Sequence, residues 1–179
     1  MALSQNCILN NEEINHKIRR IAYQIYESNV DEKEVVLAGI QSNGYFLAQK
    51  IKNKLEEISK IKGTLCSVKI NKKNPYSVVE TSLSPEQYAK KSLVLIDDVL
   101  HSGTTLIYGV KHFLETPLKQ FKTAVLVNRN HKKDPVKADL KGITISTWLK
   151  EQVEMKFKDN SAKDVLISIA LYYIDNVIK

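Results

Sequence analysis

Two adjacent carboxylates, Asp97 and Asp98, follow the aliphatic run Leu93-Val94-Leu95-Ile96. Like charges side by side at the tip of a buried strand repel, so such a pair is kept for sugar hydroxyls, a cation, or both. Four residues after Asp98, Ser102-Gly103-Thr104-Thr105 opens a helical stretch. A helix N-terminus presents unpaired N–H groups and the positive end of the peptide dipoles. Gly103 lets a ligand approach the backbone, and three hydroxyls add donors, which makes an anion cup of phosphate size. One loop thus offers carboxylates to sugar hydroxyls and amides to a phosphate, and a ribose 5-phosphate satisfies both. The glycine spacing and lysine of a Walker A loop are absent. Neither a Ser/His/Asp nor a Cys/His constellation is visible, so the chemistry expected needs no covalent nucleophile. Cys7 and Cys66 have no partner motif for zinc or for a disulfide framework.

The elements that must position this segment are readable from periodicity. Ile14, Ile18, Ile21 and Ile25 predict an amphipathic helix over residues 12–28. Val35–Ile40 reads as a strand buried on both faces, broken by a turn at Gln41-Ser42-Asn43-Gly44. A second helix carries Leu47, Ile51, Leu55 and Ile58, and residues 64–70 read as a strand. Residues 71–91 are polar and turn-rich, which predicts a flexible flap loop. The strand at Leu93 is expected to end at Asp97-Asp98, with a helix over Thr104–Leu114. Thr123–Val127 is a third buried strand, followed by a basic loop over 128–139, and Val153–Phe157 alternates as a late strand. Ser161-Ala162-Lys163-Asp164 matches a capping box and predicts a C-terminal helix over 161–179. That helix is apolar over most of its girth and needs cover from the core or a second subunit, so a dimer or larger assembly is expected. Apolar strands alternating with helices mean an α/β fold: a doubly wound, mostly parallel sheet with helices on both faces, one domain over 1–179. Ligands then bind at the carboxyl ends of the strands, where the loops 41–44, 97–105 and 128–139 converge.

Net charge is +7, and residues 111–150 carry nine bases against three acids. Such asymmetry points to a polyanionic ligand or partner. Only Arg19, Arg20 and Arg129 are arginines; the lysines neutralise phosphate as point charges rather than reading a base with a planar fork. No apolar run reaches the ~18 residues of a membrane span. The start MALSQNCILNNEEINHK lacks a basic, then apolar, leader. The cytoplasm is the expected compartment.

The Asp97–Thr105 segment resembles the 5-phosphoribosyl-1-pyrophosphate (PRPP) motif of type I phosphoribosyltransferases. Residues 10–158 further resemble the bifunctional pyrimidine operon regulator / uracil phosphoribosyltransferase family: Arg19-Arg20-Ile21-Ala22 with Glu27, Leu37–Gly44 with Leu47-Ala48, and Ala124–His131 with Pro135, Lys137, Ala138 and Asp139. The resemblance implies the type I fold with a small hood, and transfer of phosphoribose from PRPP to a uracil-like base with release of pyrophosphate. Asp97 and Asp98 would hold the ribose hydroxyls, directly or through Mg²⁺. His101, Ser102, Gly103, Thr104 and Thr105 would cup the 5-phosphate, with His101 also a catalytic candidate. Gln41, Ser42, Asn43 and Gly44 would present amides to the pyrophosphate, Lys72 and Lys73 would act from the flap, and Asn128 and Arg129 would face the base. The family has lysine and arginine where this loop has Gln41 and Asn43, and commonly arginine at Thr104. Those changes favour an alternative, a catalytically weak sensor of PRPP or nucleotide that binds RNA. Arg20, His131, Lys132 and Lys137 fall at matching places for an RNA-binding basic face. With Tyr23, Ser28 and Ile143 replacing family bases, weak and salt-sensitive RNA binding is expected.

Overall fold

A computed structural model describes residues 6–71, 74–130, 133–146, 151–160 and 164–173. Lys72, Lys73, His131 and Lys132 lie outside the described residues. The chain opens with a short strand, β1 (Asn6–Leu9), and a helix, α1 (Asn11–Glu27). Asn10 caps that helix reciprocally: its Oδ1 accepts from the Glu13 amide at 2.9 Å, and Glu13 Oε2 accepts from the Asn10 amide at 2.8 Å. There follow β2 (Glu34–Ile40), α2 (Asn43–Ile58), β3 (Lys62–Lys69), β4 (Glu80–Thr81) and α3 (Pro85–Tyr88). Then come β5 (Ser92–Leu100), α4 (Thr104–Leu114), β6 (Gln120–Arg129), β7 (Leu140–Ile145), β8 (Glu151–Asn160) and β9 (Asp164–Tyr173).

Six strands form the central sheet in the order β4-β3-β2-β5-β6-β7. All its pairings are parallel except β3 with β4. Alternation along the strands divides two cores. Val35, Leu37, Val94 and Ile96 face α1 and α2, joining Ile14, Ile18, Leu47 and Ile51. Val36, Ala38, Leu93 and Leu95 face the other way, toward Leu106, Phe113 and Tyr88. Both faces of β2 and β5 are thus covered, which is why these strands read as continuous apolar runs. A second, antiparallel sheet in the order β1-β9-β8 contributes Leu9, Val153 and Met155 to the first core.

Four expectations change. β5 does not end at Asp97-Asp98: it runs on to Leu100, because Val99 and Leu100 are themselves buried and pair with Val127 and Asn128 of β6. The turn after β2 is shorter than 41–44, since α2 already begins at Asn43. The 71–91 segment is not one loop: its second half holds β4 and α3, fixed by Tyr88, which is buried edge-on against Phe113 with ring centroids 5.2 Å apart. The C-terminal helix is replaced by β9 over residues 164–173, paired from Glu151↔Tyr173 to Asn160↔Asp164 with β8. The run Val165 to Tyr173 is rich in β-branched and aromatic residues, which suit a strand once β8 supplies its partner.

At the amino end of the sheet, Glu34 ties three strands. Its carboxylate accepts from the Thr64 hydroxyl on β3 and pairs with Lys91, just before β5, at 2.9 Å. The Thr64 hydroxyl and then Lys91 hold its carboxyl below the usual carboxylate range. A depressed folded-state pKa stabilises above the unfolded value, and the contribution disappears as pH falls through the folded value. Glu34→Gln is therefore expected to lower the urea midpoint modestly at neutral pH and to leave it close to wild type in strong acid. Equal offsets at both pH values would contradict this assignment.

Candidate functional site

The carboxyl ends of β2, β5 and β6 meet at one edge of the central sheet, and a cavity of about 770 Å³ opens there. The whole segment Asp97–Leu106 lines it, together with Asn43, Pro75, Tyr76, Tyr108, Lys133, Asp134, Val153 and Met155. Asp97 is buried at 7% exposure, and its Oδ1 accepts from the Asp98 amide at 3.0 Å. Asp98 is half-buried, and its Oδ2 accepts from Asn43 Nδ2 at 2.8 Å. The acid pair is thus held by an amide from its own backbone and one from the first turn of α2. The Asn43 side-chain amide orients Asp98.

Beside this cavity, sharing Asn43 and Asp98 with it, lies a smaller one of about 360 Å³ lined also by Gln41, Ser42, Lys69 and Ile70. The Gln41–Ser42 peptide bond is cis. Gly44 is buried against β5 so closely that a Cβ would meet the Ile96 carbonyl oxygen at 2.8 Å and the Asp97 Cα at 3.1 Å. Lys69, at the exposed end of β3, also lines this cavity, and its ammonium pairs with Glu80 at 3.2 Å. Nothing local to Lys69 marked it in the sequence, and Lys72 and Lys73, expected to act from the flap, lie outside the described residues.

The turn before α4 stands where the sequence placed it. Gly103, at φ 90°, precedes α4 and occupies the left-handed region that favours glycine. The Thr104 amide donates to Ser102 Oγ at 3.3 Å, and the two hydroxyls are 3.0 Å apart. Thr104 Oγ1 also contacts Asp134 Oδ2 at 2.5 Å. The amides of Lys133 and Asp134 both donate to the Ser102 carbonyl at 2.9 Å, which seats the loop after β6 on this turn. His101 Nδ1 lies 2.9 Å from Arg129 NH1. A guanidinium only donates, so Nδ1 is the acceptor and the ring hydrogen sits on Nε2. Arg129 thereby reaches the site through His101. Asn128 does not line the cavity: it is 4% exposed, and its Nδ2 donates to Thr144 Oγ1 at 3.3 Å. Tyr76 stands edge-on to Tyr108, 5.5 Å between centroids, at the cavity mouth. Tyr76, Tyr108, Asp134, Val153 and Met155 all escaped the sequence reading, because only tertiary folding brings them to the motif.

The phosphoribosyl transferase domain model matches residues 4–159. The chain belongs to the phosphoribosyl transferase domain family. This phosphoribosyltransferase is 31% identical over 176 residues to a bifunctional protein PyrR of Fusobacterium nucleatum, covering 93% of this chain and 99% of that one. It is 30% identical over 161 residues to the bifunctional protein PyrR of Streptococcus thermophilus, covering 88% and 92%. Among solved structures, a hypoxanthine phosphoribosyltransferase of Trypanosoma cruzi shares the fold with TM-score 0.74 at 14% identity, over 95% of this chain and 97% of that one. A hypoxanthine-guanine phosphoribosyltransferase of Bacillus anthracis does so with TM-score 0.69 at 17% identity, over 94% and 99%. The α/β architecture with a mostly parallel six-stranded sheet is the type I phosphoribosyltransferase fold. No helix among the described residues is long and apolar enough to cross a membrane.

Proposed function

We propose that this phosphoribosyltransferase moves the 5-phosphoribosyl group of PRPP onto a pyrimidine base of the uracil type and releases pyrophosphate. One observation carries the reading: a single cavity has the acid pair Asp97-Asp98 on its wall, the Ser102–Thr105 turn at one end and the Gln41–Gly44 loop beside it. Asp98 and Asp97 engage the ribose hydroxyls, and the amides and hydroxyls of 102–105 take the 5-phosphate. Leaving pyrophosphate meets the amides after β2 and the Lys69 ammonium. Charge builds at the leaving group while oxocarbenium character grows at the sugar, so fixed donors and exclusion of water supply the catalysis.

Among the described residues no group of three or more His, Cys, Asp and Glu side chains is arranged to cage a metal. Two neighbouring carboxylates suit Mg²⁺, an ion that keeps its waters and binds mostly through substrate phosphates. Asp97 and Asp98 would reach a magnesium ion bound to PRPP, directly or through its waters, and the ion would there offset phosphate charge.

His101 donates from Nε2, because Arg129 engages Nδ1. A donor fits a carbonyl oxygen of uracil or an oxygen of the phosphate; while that contact stands, the ring is not a proton acceptor. The near-full-length similarity to bifunctional PyrR proteins supports a pyrimidine. Release of pyrophosphate, measured with magnesium-PRPP and uracil, hypoxanthine or guanine in turn, tests it. Turnover with uracil exceeding that with either purine is expected, and faster turnover with hypoxanthine would overturn the base assignment.

The second reading is a regulator that binds PRPP or nucleotide with little turnover. It is favoured by Asn43, whose amide is committed to Asp98 where a phosphate-binding cation would serve catalysis. Tight calorimetric binding of UMP without pyrophosphate release would support it, and brisk turnover would remove it. For RNA, Arg20 is already engaged by the carbonyls of Lys141 and Gly142 at 2.6 Å each, and Arg19 lies over the Tyr23 ring at 5.7 Å. This supports weak, salt-sensitive contact rather than base-specific reading.

A further inference from the structure

The turn that should welcome an anion already touches one. Asp134 lines the cavity, and its carboxylate takes the Thr104 hydroxyl hydrogen across 2.5 Å. An ionised carboxylate only accepts, and a hydroxyl has one hydrogen. The Thr104 hydrogen is therefore committed to Asp134. Ser102 Oγ, 3.0 Å from Thr104 Oγ1, must then point its own hydrogen at Thr104. The Thr104 amide in turn donates back to Ser102 Oγ at 3.3 Å. Two of the cup's hydroxyls and one of its amides are satisfied in a chain that Asp134 terminates.

A phosphoryl group is likewise an acceptor and needs these same hydrogens. It also repels a carboxylate at close quarters. The contact is built into the fold rather than an accident of one side chain. Two backbone amides, from Lys133 and Asp134, anchor the loop on the Ser102 carbonyl at 2.9 Å. Val136 fits against Gly103 so closely that a Cβ there would meet its Cγ1 at 2.6 Å.

We infer that Asp134 is an internal competitor for the 5-phosphate: its carboxylate occupies the Ser102–Thr104 donors in the unliganded protein and must give them up when the phosphorylated sugar enters. The inference rests on the reading of residues 102–105 as the 5-phosphate cup and adds to it a specificity-determining residue. Entry of the phosphate rewires the hydroxyl chain, so that Thr104 and Ser102 turn their hydrogens to the ligand. The same event breaks the side-chain tie between the loop after β6 and the turn after β5, while the two amide ties to Ser102 can persist.

The test is calorimetric titration of the full chain with ribose 5-phosphate, and with ribose as the uncharged control, for wild type, Asp134→Asn and Asp134→Ala. Circular dichroism establishes that each variant is folded; the backbone anchors to Ser102 do not depend on the side chain. The competitor role predicts that Asp134→Ala binds ribose 5-phosphate about tenfold more tightly than wild type and Asp134→Asn, which loses the charge but keeps an accepting Oδ1, by a smaller factor, with no comparable gain for ribose. A residue that merely props up the turn would weaken binding when removed. Wild type that binds ribose 5-phosphate, with variants that bind no better, overturns the competitor role and leaves the cup standing. Absence of ribose 5-phosphate binding in all three proteins overturns the cup assignment and the inference together.

Discussion

Asp98→Asn is expected to lower pyrophosphate release on the order of a hundredfold while leaving the melting temperature almost unchanged. The expectation comes from how the pair is held. Asp98 is half-buried and lines the cavity, so oxygen lone pairs beyond the one facing Asn43 are presented to a ligand. Losing a charge-assisted hydrogen bond costs about 1.5–3 kcal/mol, and each 1.36 kcal/mol is about a factor of ten in rate. One such bond, to a ribose hydroxyl or to a water of magnesium, accounts for the loss. Stability is spared because the variant also relieves the repulsion between neighbouring carboxylates. Asp97→Asn should behave differently. Asp97 is buried, and its Oδ1 anchors the Asp98 amide. An Asn side chain turned the wrong way would set an N–H against that amide, so this variant should lose melting temperature as well as turnover. Measured kcat, KM for PRPP and melting temperature separate the two. An Asp98→Asn enzyme within threefold of wild type would remove the acid pair from the chemistry.

What could be read from the chain and what could not divides along the range of the interactions. The strand–acid–turn–helix order of residues 93–114 is local. Each step follows from adjacent residues: aliphatic run, carboxylates, a glycine able to take φ 90°, hydroxyls at a helix start. The loops at Asp97–Thr105 and after β2 were therefore legible as places in the fold, as were α1, α2 and the buried strands. The second half of the presumed flap was not, because β4 exists only by pairing Thr81 and Glu80 with Val68 and Lys69. The C-terminal segment carried a local signal, the Ser161–Asp164 capping pattern, whose first three residues lie outside the described residues. Ten residues that alone could coil into a helix instead extend along β8. Asp134 and Tyr108 were invisible for the same reason. Asp134 meets Thr104 across 30 residues of sequence, through a loop whose own composition says only that it is polar and basic.

Gly44→Ala is expected to cost activity far more than stability. The position lies one residue from Asn43, in the first turn of α2, and the new Cβ would stand 2.8 Å from the Ile96 carbonyl oxygen and 3.1 Å from the Asp97 Cα. Both neighbours are backbone of β5, so no side chain can swing aside. The helix start must lift away from the strand, and relief of such overpacking costs roughly 1–3 kcal/mol. A chain of this size with two apolar cores can absorb that and stay folded. The site has less latitude. Lifting α2 carries Asn43 away from Asp98 and moves the amides of residues 42–44 relative to the turn at 102–105, the two ends that must hold one ligand at once. A misplacement of about 1 Å is worth roughly a hundredfold in rate, because orientation supplies so much of the barrier reduction. The variant should therefore show a cooperative melt only a few degrees below wild type, with turnover reduced by about two orders of magnitude. If turnover instead falls only in proportion to the fraction unfolded, the spacing between helix α2 and strand β5 does not set the geometry of the reaction.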